Sequence, residues 1–155
     1  MISGTVDLAA YRGTLPRVDG IPSLSPAEAL DLVGRGAVLV DLREAYETNF
    51  RVFAVDRVVY LPWTRFAEFL DRLPKDEALI LADASGIYCR EAARLLVGQG
   101  YINIGNLAGG MIDWDAEGYP VRKDDDFELR GQCACKMKSR HGGNPLVDKR
   151  EDARG

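Results

Sequence analysis

Few residues of this 155-residue chain could carry chemistry: three cysteines, Cys89, Cys133 and Cys135, one histidine, His141, and charged clusters that follow apolar runs. Cys133 and Cys135 are separated by one residue and flanked by Arg130, Lys136, Lys138 and Arg140. Positive surroundings favour thiolate, and in an extended segment the two side chains point to the same side. Such a pair can take up sulfane sulfur, be oxidised, or hold a soft metal; the alternative is a tail whose thiols have no assigned role. A zinc site would draw on Cys133, Cys135, His141 and a carboxylate such as Asp148, although the cysteine spacing is tighter than zinc sites use. Cys89 opens a Cys-x4-Arg spacing with Arg94. That stretch has no glycine and is rich in helix formers, so its amides belong to a helix and Cys89 is expected to be a small buried residue. A thiol in the first helical turn, its pKa lowered by the dipole, is the alternative.

The elements that must position these residues alternate between strand-like and helix-like patterns, which predicts an α/β sheet. Ser25, Pro26 and Glu28 supply an N-cap, a first-turn proline and a capping-box partner for a helix that Gly34 and Gly36 end. Ala37-Val38-Leu39-Val40 is a continuous apolar run, as expected of a parallel strand covered on both faces. Further strands are predicted over 55–61, 78–82 and 101–106. Helices are predicted over 65–72, with Phe66, Phe69 and Leu70 inward, and over 87–98, and a short helical turn after Gly109-Gly110 carries Met111, Ile112 and Trp114. Reactive groups in such sheets lie on loops at the carboxyl ends of the strands, which directs attention to Asp41, Arg43, Glu44 and Glu47 and to Asp83-Ala84-Ser85-Gly86-Ile87-Tyr88. The first cluster is expected to be a solvated rim with an Asp41–Arg43 hydrogen bond ordering its loop; a partner contact is the alternative.

Three segments together resemble the rhodanese-like (sulfurtransferase) domain family: Val40-Asp41-Leu42-Arg43-Glu44, Gly100-Tyr101, and Leu107-Ala108-Gly109-Gly110-Met111-Ile112-Asp113-Trp114 followed by Gly118-Tyr119-Pro120-Val121. The resemblance spans residues 24–121 and implies a parallel sheet with helices on both faces. It also implies a nucleophilic cysteine opening a six-residue loop, where converging amides and a helix N-terminus stabilise an anionic sulfur. The matching loop here runs from Asp83 to Tyr88, so Asp83 stands where the family's enzymes have cysteine and Tyr88 where many active members have arginine. Phe53-Ala54-Val55-Asp56-Arg57-Val58 also departs from the family's usual Gly-His-Ile-Pro-Gly-Ala type of run.

A carboxylate cannot accept and donate sulfane sulfur, so sulfur transfer from thiosulfate at this loop is not expected. Asp83 could accept the loop amides itself and close the loop from within, leaving loop residues 83–88 as a recognition surface; the alternative is that Asp83 and Ser85 merely cap the following helix. The first functional expectation is therefore a non-catalytic binding or regulatory module. The second is a sulfurtransferase or redox sulfur carrier whose thiols are Cys133 and Cys135.

Composition narrows the remaining classes. The 24 acidic and 20 basic residues leave a net charge of −4, with no overall basic field to attract nucleic acid. No apolar run is long enough for a membrane span and no leader pattern opens the chain, so a cytoplasmic protein is expected, as three unevenly placed cysteines also suggest. Phosphate-binding glycine loops are absent, and a serine triad would have only His141 to draw on. No cofactor is expected, and the partner is an unknown protein or a sulfur donor. The charge changes from −6 over residues 1–121 to +2 over 122–155, which suggests an N-terminal arm (1–23), one domain (24–121) and a partly disordered C-terminal tail (122–155).

Overall fold

The computed structural model describes residues 6–48 and 51–122 and the backbone of residues 132–133. Its centre is a six-stranded sheet in which every neighbouring pair is parallel. The strands, in chain order, are β1 (Ser23–Leu24), β2 (Val38–Asp41), β4 (Val58–Tyr60), β5 (Leu79–Ala82), β6 (Ile104–Leu107) and β8 (Gln132–Cys133), arranged β1-β6-β5-β2-β4-β8. A separate antiparallel ribbon joins β3 (Val52–Phe53) to β7 (Val121–Arg122).

The continuous apolar runs of β2 and β5 arise because both sheet faces are covered: all four residues of each strand are buried. Alternate residues go to opposite sides. Val38, Val40, Leu79 and Leu81 pack with Phe66, Ala92 and Leu96 from α3 (Trp63–Phe69) and α4 (Cys89–Gly98). Leu39, Ile80 and Ala82 pack with Ala29, Leu32, Met111 and Trp114 from α1 (Pro26–Gly34) and α5 (Gly110–Ala116). A short helix, α2 (Ala45–Thr48), follows β2. Among the described residues no helix is long and apolar enough to cross a membrane.

Element ends shift for local reasons. The capping box forms as expected, with the Ser25 hydroxyl accepting the Glu28 amide at 3.2 Å and Glu28 accepting the Ser25 amide at 2.9 Å. The strand expected over 55–61 shortens to β4. The helix expected from 65 begins at Trp63, after Pro62, and its last turn tightens to a 3-10 turn, Leu70–Arg72. The Tyr101 hydroxyl lies between the carbonyls of Leu70 and Leu73 there, tying the turn to the segment that leads into β6, which begins at Ile104 and not at Tyr101 as the sequence pattern suggests. Trp114 donates its indole N–H to the Pro120 carbonyl at 2.8 Å and meets Phe53 edge-on with ring centroids 5.2 Å apart, so the Trp114 and Pro120 motifs fasten the β3–β7 ribbon to α5.

Residues before β1 pack closely on the domain. Leu8 is fully buried, and the Asn103 side chain accepts its amide at 2.6 Å and donates to the Val6 carbonyl at 2.7 Å. Glu28, while completing the helix cap, also accepts from the Tyr11 hydroxyl and the Thr14 amide.

Candidate functional site

β5 ends at Ala82, and the chain turns through loop residues 83–88 before α4 begins at Cys89. Asp83 is buried at 2 % exposure, with one carboxylate oxygen accepting the Gly86 amide and the other accepting the Tyr88 amide at 2.6 Å. The turn requires Gly86, whose φ of 97° lies in the left-handed region. Ser85 is exposed and makes no side-chain hydrogen bond among the described residues, so the capping role proposed for it from sequence is not what holds the loop.

The back of the loop rests on α5. The carbonyls of Asp83 and Ala84 accept the amides of Met111 and Ile112 at 2.8 and 3.0 Å, which satisfies donors that a helix start leaves open. Gly110 makes this approach possible: its φ is 58°, and a Cβ there would stand 2.3 Å from the Asp83 carbonyl oxygen. The Gly109-Gly110 pair, recognisable in sequence only as part of a motif, is thus the place where loop and helix backbones touch.

At the front, the Tyr88 ring stacks on Trp63 with centroids 5.4 Å apart and an interplanar angle of 21°, and Trp63 stacks in turn on Phe66. Ile87 stands out at 72 % exposure, and Tyr88 remains about half exposed. Trp63 was missed as a site residue because its place depends on α3 lying beside α4, which no local pattern reports.

Asp41 ends the neighbouring strand in register with Ala82. It is fully buried and paired with Arg43, itself 4 % exposed: Arg43 donates from Nε to one oxygen at 3.0 Å, from a terminal nitrogen to the other at 2.8 Å, and from its backbone amide at 3.1 Å. Its guanidinium also lies over the Phe53 ring at 5.2 Å. The expected hydrogen bond is present, but the expectation of a solvated rim is corrected. The fork geometry and the β3–β7 ribbon enclose the pair, so it is an internal brace. Glu44 and Glu47 remain at the outside, Glu44 accepting from both the amide and the hydroxyl of Thr64.

Cys89 lies between these carboxylates. It is buried at 1 % exposure, and its thiol is pushed well above the ordinary value, first by burial, then by the charges of Asp83 and Asp41 and by its hydrogen bond to Asp83. The surrounding charge thus opposes the helix dipole, and the alternative of an activated first-turn thiol is overturned in favour of the small buried residue. The arrangement is a set of converging loop amides already occupied by the chain's own carboxylate, above a protonated thiol that has no access to solvent.

Of the tail candidates, Cys133 is located only by its backbone: β8 pairs with β4 in register Tyr60–Cys133, which puts that position at the same carboxyl edge of the sheet as Asp41 and Ala82. Cys135, His141, Asp148 and the expected disorder of the tail lie outside the described residues. Among the described residues no group of three or more histidine, cysteine or acidic side chains is placed to hold a metal ion.

The chain is 28% identical over 102 residues to the thiosulfate sulfurtransferase GlpE of Haemophilus influenzae strain PittEE, covering 63% of this chain and 91% of that protein. It is 30% identical over 99 residues to the protein of the same name from Actinobacillus succinogenes, covering 63% and 87%. A rhodanese-related protein from Thermoplasma volcanium superposes with a TM-score of 0.60 at 26% identity, over 66% of this chain and 99% of its own. The model of the rhodanese-like domain matches residues 25–117, which contain β2, the 83–88 loop and the Gly109-Gly110 contact. On fold and sequence alike, the chain belongs to the rhodanese-like domain family.

Proposed function

We propose that this protein is a non-catalytic rhodanese-like module, in which the loop from Asp83 to Tyr88 is a recognition surface and not a sulfur-transfer centre. The observation that carries the reading is the pair of hydrogen bonds from the Gly86 and Tyr88 amides to the Asp83 carboxylate. Sulfur transfer needs a thiolate that attacks the outer sulfur of a donor and holds it as a persulfide while converging amides stabilise the anion. Asp83 offers no such nucleophile, and its oxygens hold two of the amides. Tyr88 brings no cation to receive an anionic donor such as the thiosulfate in the relatives' names, whereas its ring and the aliphatic side chain of Ile87 offer apolar surface to a protein partner.

A second reading is supported by β8. Its parallel pairing with β4 carries the chain toward the carboxyl edge at Cys133, so thiols at Cys133 and Cys135 would start from the same edge as the loop. In that reading a thiolate of either residue attacks the outer sulfur of thiosulfate. A cysteine–sulfur bond forms, the donor's sulfur–sulfur bond breaks, and sulfite leaves with the bonding pair.

Intact-mass spectrometry after incubation with thiosulfate or a persulfide donor, followed by peptide mapping, separates the two. An unmodified protein under conditions that load an active relative supports the non-catalytic module. Sulfur on Cys133 or Cys135, lost in the double serine variant, replaces it with the relay. Sulfur on Cys89 contradicts both.

A further inference from the structure

β8 lies beside β4 and runs in the same direction, so the chain passes Cys133 heading out over the carboxyl edge of the sheet. Along that edge stand, in order, the ends of β4, β2 and β5, and each leads to a different part of one surface. β4 leads through Pro62 to Trp63 at the start of α3, and β2 leads to Glu44 and Glu47. β5 leads to the 83–88 loop, with Ile87 exposed and Tyr88 about half exposed.

These parts are joined to one another. Glu44 accepts from the Thr64 amide at 3.1 Å and its hydroxyl at 3.0 Å, next to Trp63, and Trp63 stacks on Tyr88. Glu47 accepts the Glu44 amide at 3.0 Å, which holds the two acidic residues together. Among the described residues neither carboxylate has an ion-pair partner: Arg43 is engaged by Asp41, and Arg65 by Glu68 and the Phe69 ring. The surface is thus apolar with an uncompensated acidic margin, and its complement is an apolar side chain flanked by cations. That pattern occurs in this chain directly after Cys133. Ala134-Cys135-Lys136-Met137-Lys138-Ser139-Arg140 has cations at alternate positions, no acidic residue, and Met137 between the first two lysines.

We propose that residues 134–140 dock across the chain's own loop as a strap, with Lys136 and Lys138 toward Glu44 and Glu47 and Met137 against Trp63, Tyr88 and Ile87. An extended segment sends alternate side chains to opposite sides, which gives the cations one flank and Met137 the other, and a thioether suits an aromatic surface. The path length agrees. Neighbouring strands are about 4.8 Å apart and an extended chain advances about 3.3 Å per residue. β2 is two places from β8 in the sheet and β5 is three, so about three residues bring Lys136 over the end of β2, and four to five bring Met137 and Lys138 to the end of β5. Exposed ion pairs are individually weak and screened by salt, so the strap is held by several small contacts together. The inference rests on reading the loop as a recognition surface, and it makes that surface self-covered: a protein partner reaches Ile87 and Tyr88 only by displacing the strap.

Coupling with a carbodiimide tests the strap, since the reagent joins a carboxylate to a lysine amine only where the two touch. It is applied to the full chain in dilute solution, as a mixture of unlabelled and isotope-labelled protein, and the products are mapped by peptide mass. Links from Glu44 or Glu47 to Lys136 or Lys138 are expected within single molecules, with a yield at least about fivefold lower in Met137→Ser and in roughly 1 M salt. Met137→Ser removes no coupled group and no residue of the described core, so its effect reads the docking contact itself. Absence of these links, links that join different molecules, or a yield that Met137→Ser leaves unchanged would each overturn the proposal. None of those results bears on the loop being non-catalytic, which the sulfur-loading experiment decides separately.

Discussion

Asp83 and Tyr88, the two ends of the loop, are joined by a hydrogen bond of 2.6 Å from the Tyr88 amide to the Asp83 carboxylate. The same carboxylate holds the Gly86 amide, so the loop's shape is maintained by a side chain of its own first residue. Hydrogen bonds to a charged acceptor contribute roughly 1.5–3 kcal/mol each, and donors left buried without a partner cost more than donors that water can reach. Asp83→Ala is expected to lower stability by about 2–4 kcal/mol, and Asp83→Asn, which keeps one acceptor, by less. Urea unfolding with an unchanged m-value would measure this. An alanine variant as stable as the parent would show that the two bonds do not organise the loop.

Replacing Asp83 with cysteine frees the Gly86 and Tyr88 amides to stabilise a thiolate, but the loop still lacks a cation for an anionic donor. Asp83→Cys alone is therefore expected to show little thiosulfate-dependent sulfite release, and Asp83→Cys with Tyr88→Arg at least about tenfold more, the effect of one charge contact. Equal rates for the single and double variants would show that the residue at 88 plays no part in receiving the donor.

Cys89 is expected to resist alkylation in the folded protein. Both its burial and the charges of Asp83 and Asp41 keep the thiol protonated, and only the thiolate reacts readily. Mass-mapped labelling with iodoacetamide near neutral pH should modify Cys89 at least roughly a hundredfold more slowly than in urea-unfolded chain. Comparable rates in the two states would contradict the enclosed position.

What the sequence made legible follows from which interactions are local. The Ser25–Glu28 capping box lies within four residues and is formed by them alone. The runs of β2 and β5 report burial on both faces wherever they sit. The 83–88 register was available because a strand, a middle glycine and a helix of the right length follow one another in the chain. Trp63 against Tyr88, Gly110 against the Asp83 carbonyl and the enclosure of Arg43 by Phe53 all join residues from different elements, and no local pattern specifies such contacts. Asp41 and Arg43 were expected in solvent because charged residues after a strand usually remain there; the ribbon that covers them consists of two-residue strands, too short to leave a periodic signal.

Alkaline pH should destabilise the fold through three buried groups. The Cys89 thiol and the Tyr60 hydroxyl are raised, mainly by burial, and Tyr101 is pushed up to about 12 by burial and by the charge of Asp71. The unfolded chain releases these protons near the ordinary values of 9.0 for the thiol and 10.0 for the tyrosines. The folded chain retains them, so above about pH 9 the unfolded state binds fewer protons and stability falls as pH rises. Urea midpoints measured from neutrality upward should decline above that point, with the first part of the decline reduced in Cys89→Ser. A midpoint that stays level through about pH 11 would refute the shifts.

The Asp41–Arg43 pair makes the sharpest claim on stability, because both groups are almost wholly buried. Removing one partner of a buried pair leaves the other charge without compensation, at a cost of about 3–5 kcal/mol. Arg43→Met is expected to fall in that range by chemical denaturation, since among the described residues the Asp41 carboxylate would keep only the residue-43 backbone amide, at 3.1 Å, as a hydrogen-bond donor. Adding Asp41→Asn to that variant removes the stranded charge while keeping an oxygen for the same amide, so the double variant should be more stable than Arg43→Met alone. Were the second substitution instead to deepen the loss, the penalty would have to lie in the packing of the Arg43 side chain over Phe53, and the charge pairing would not be the principal contribution of this brace.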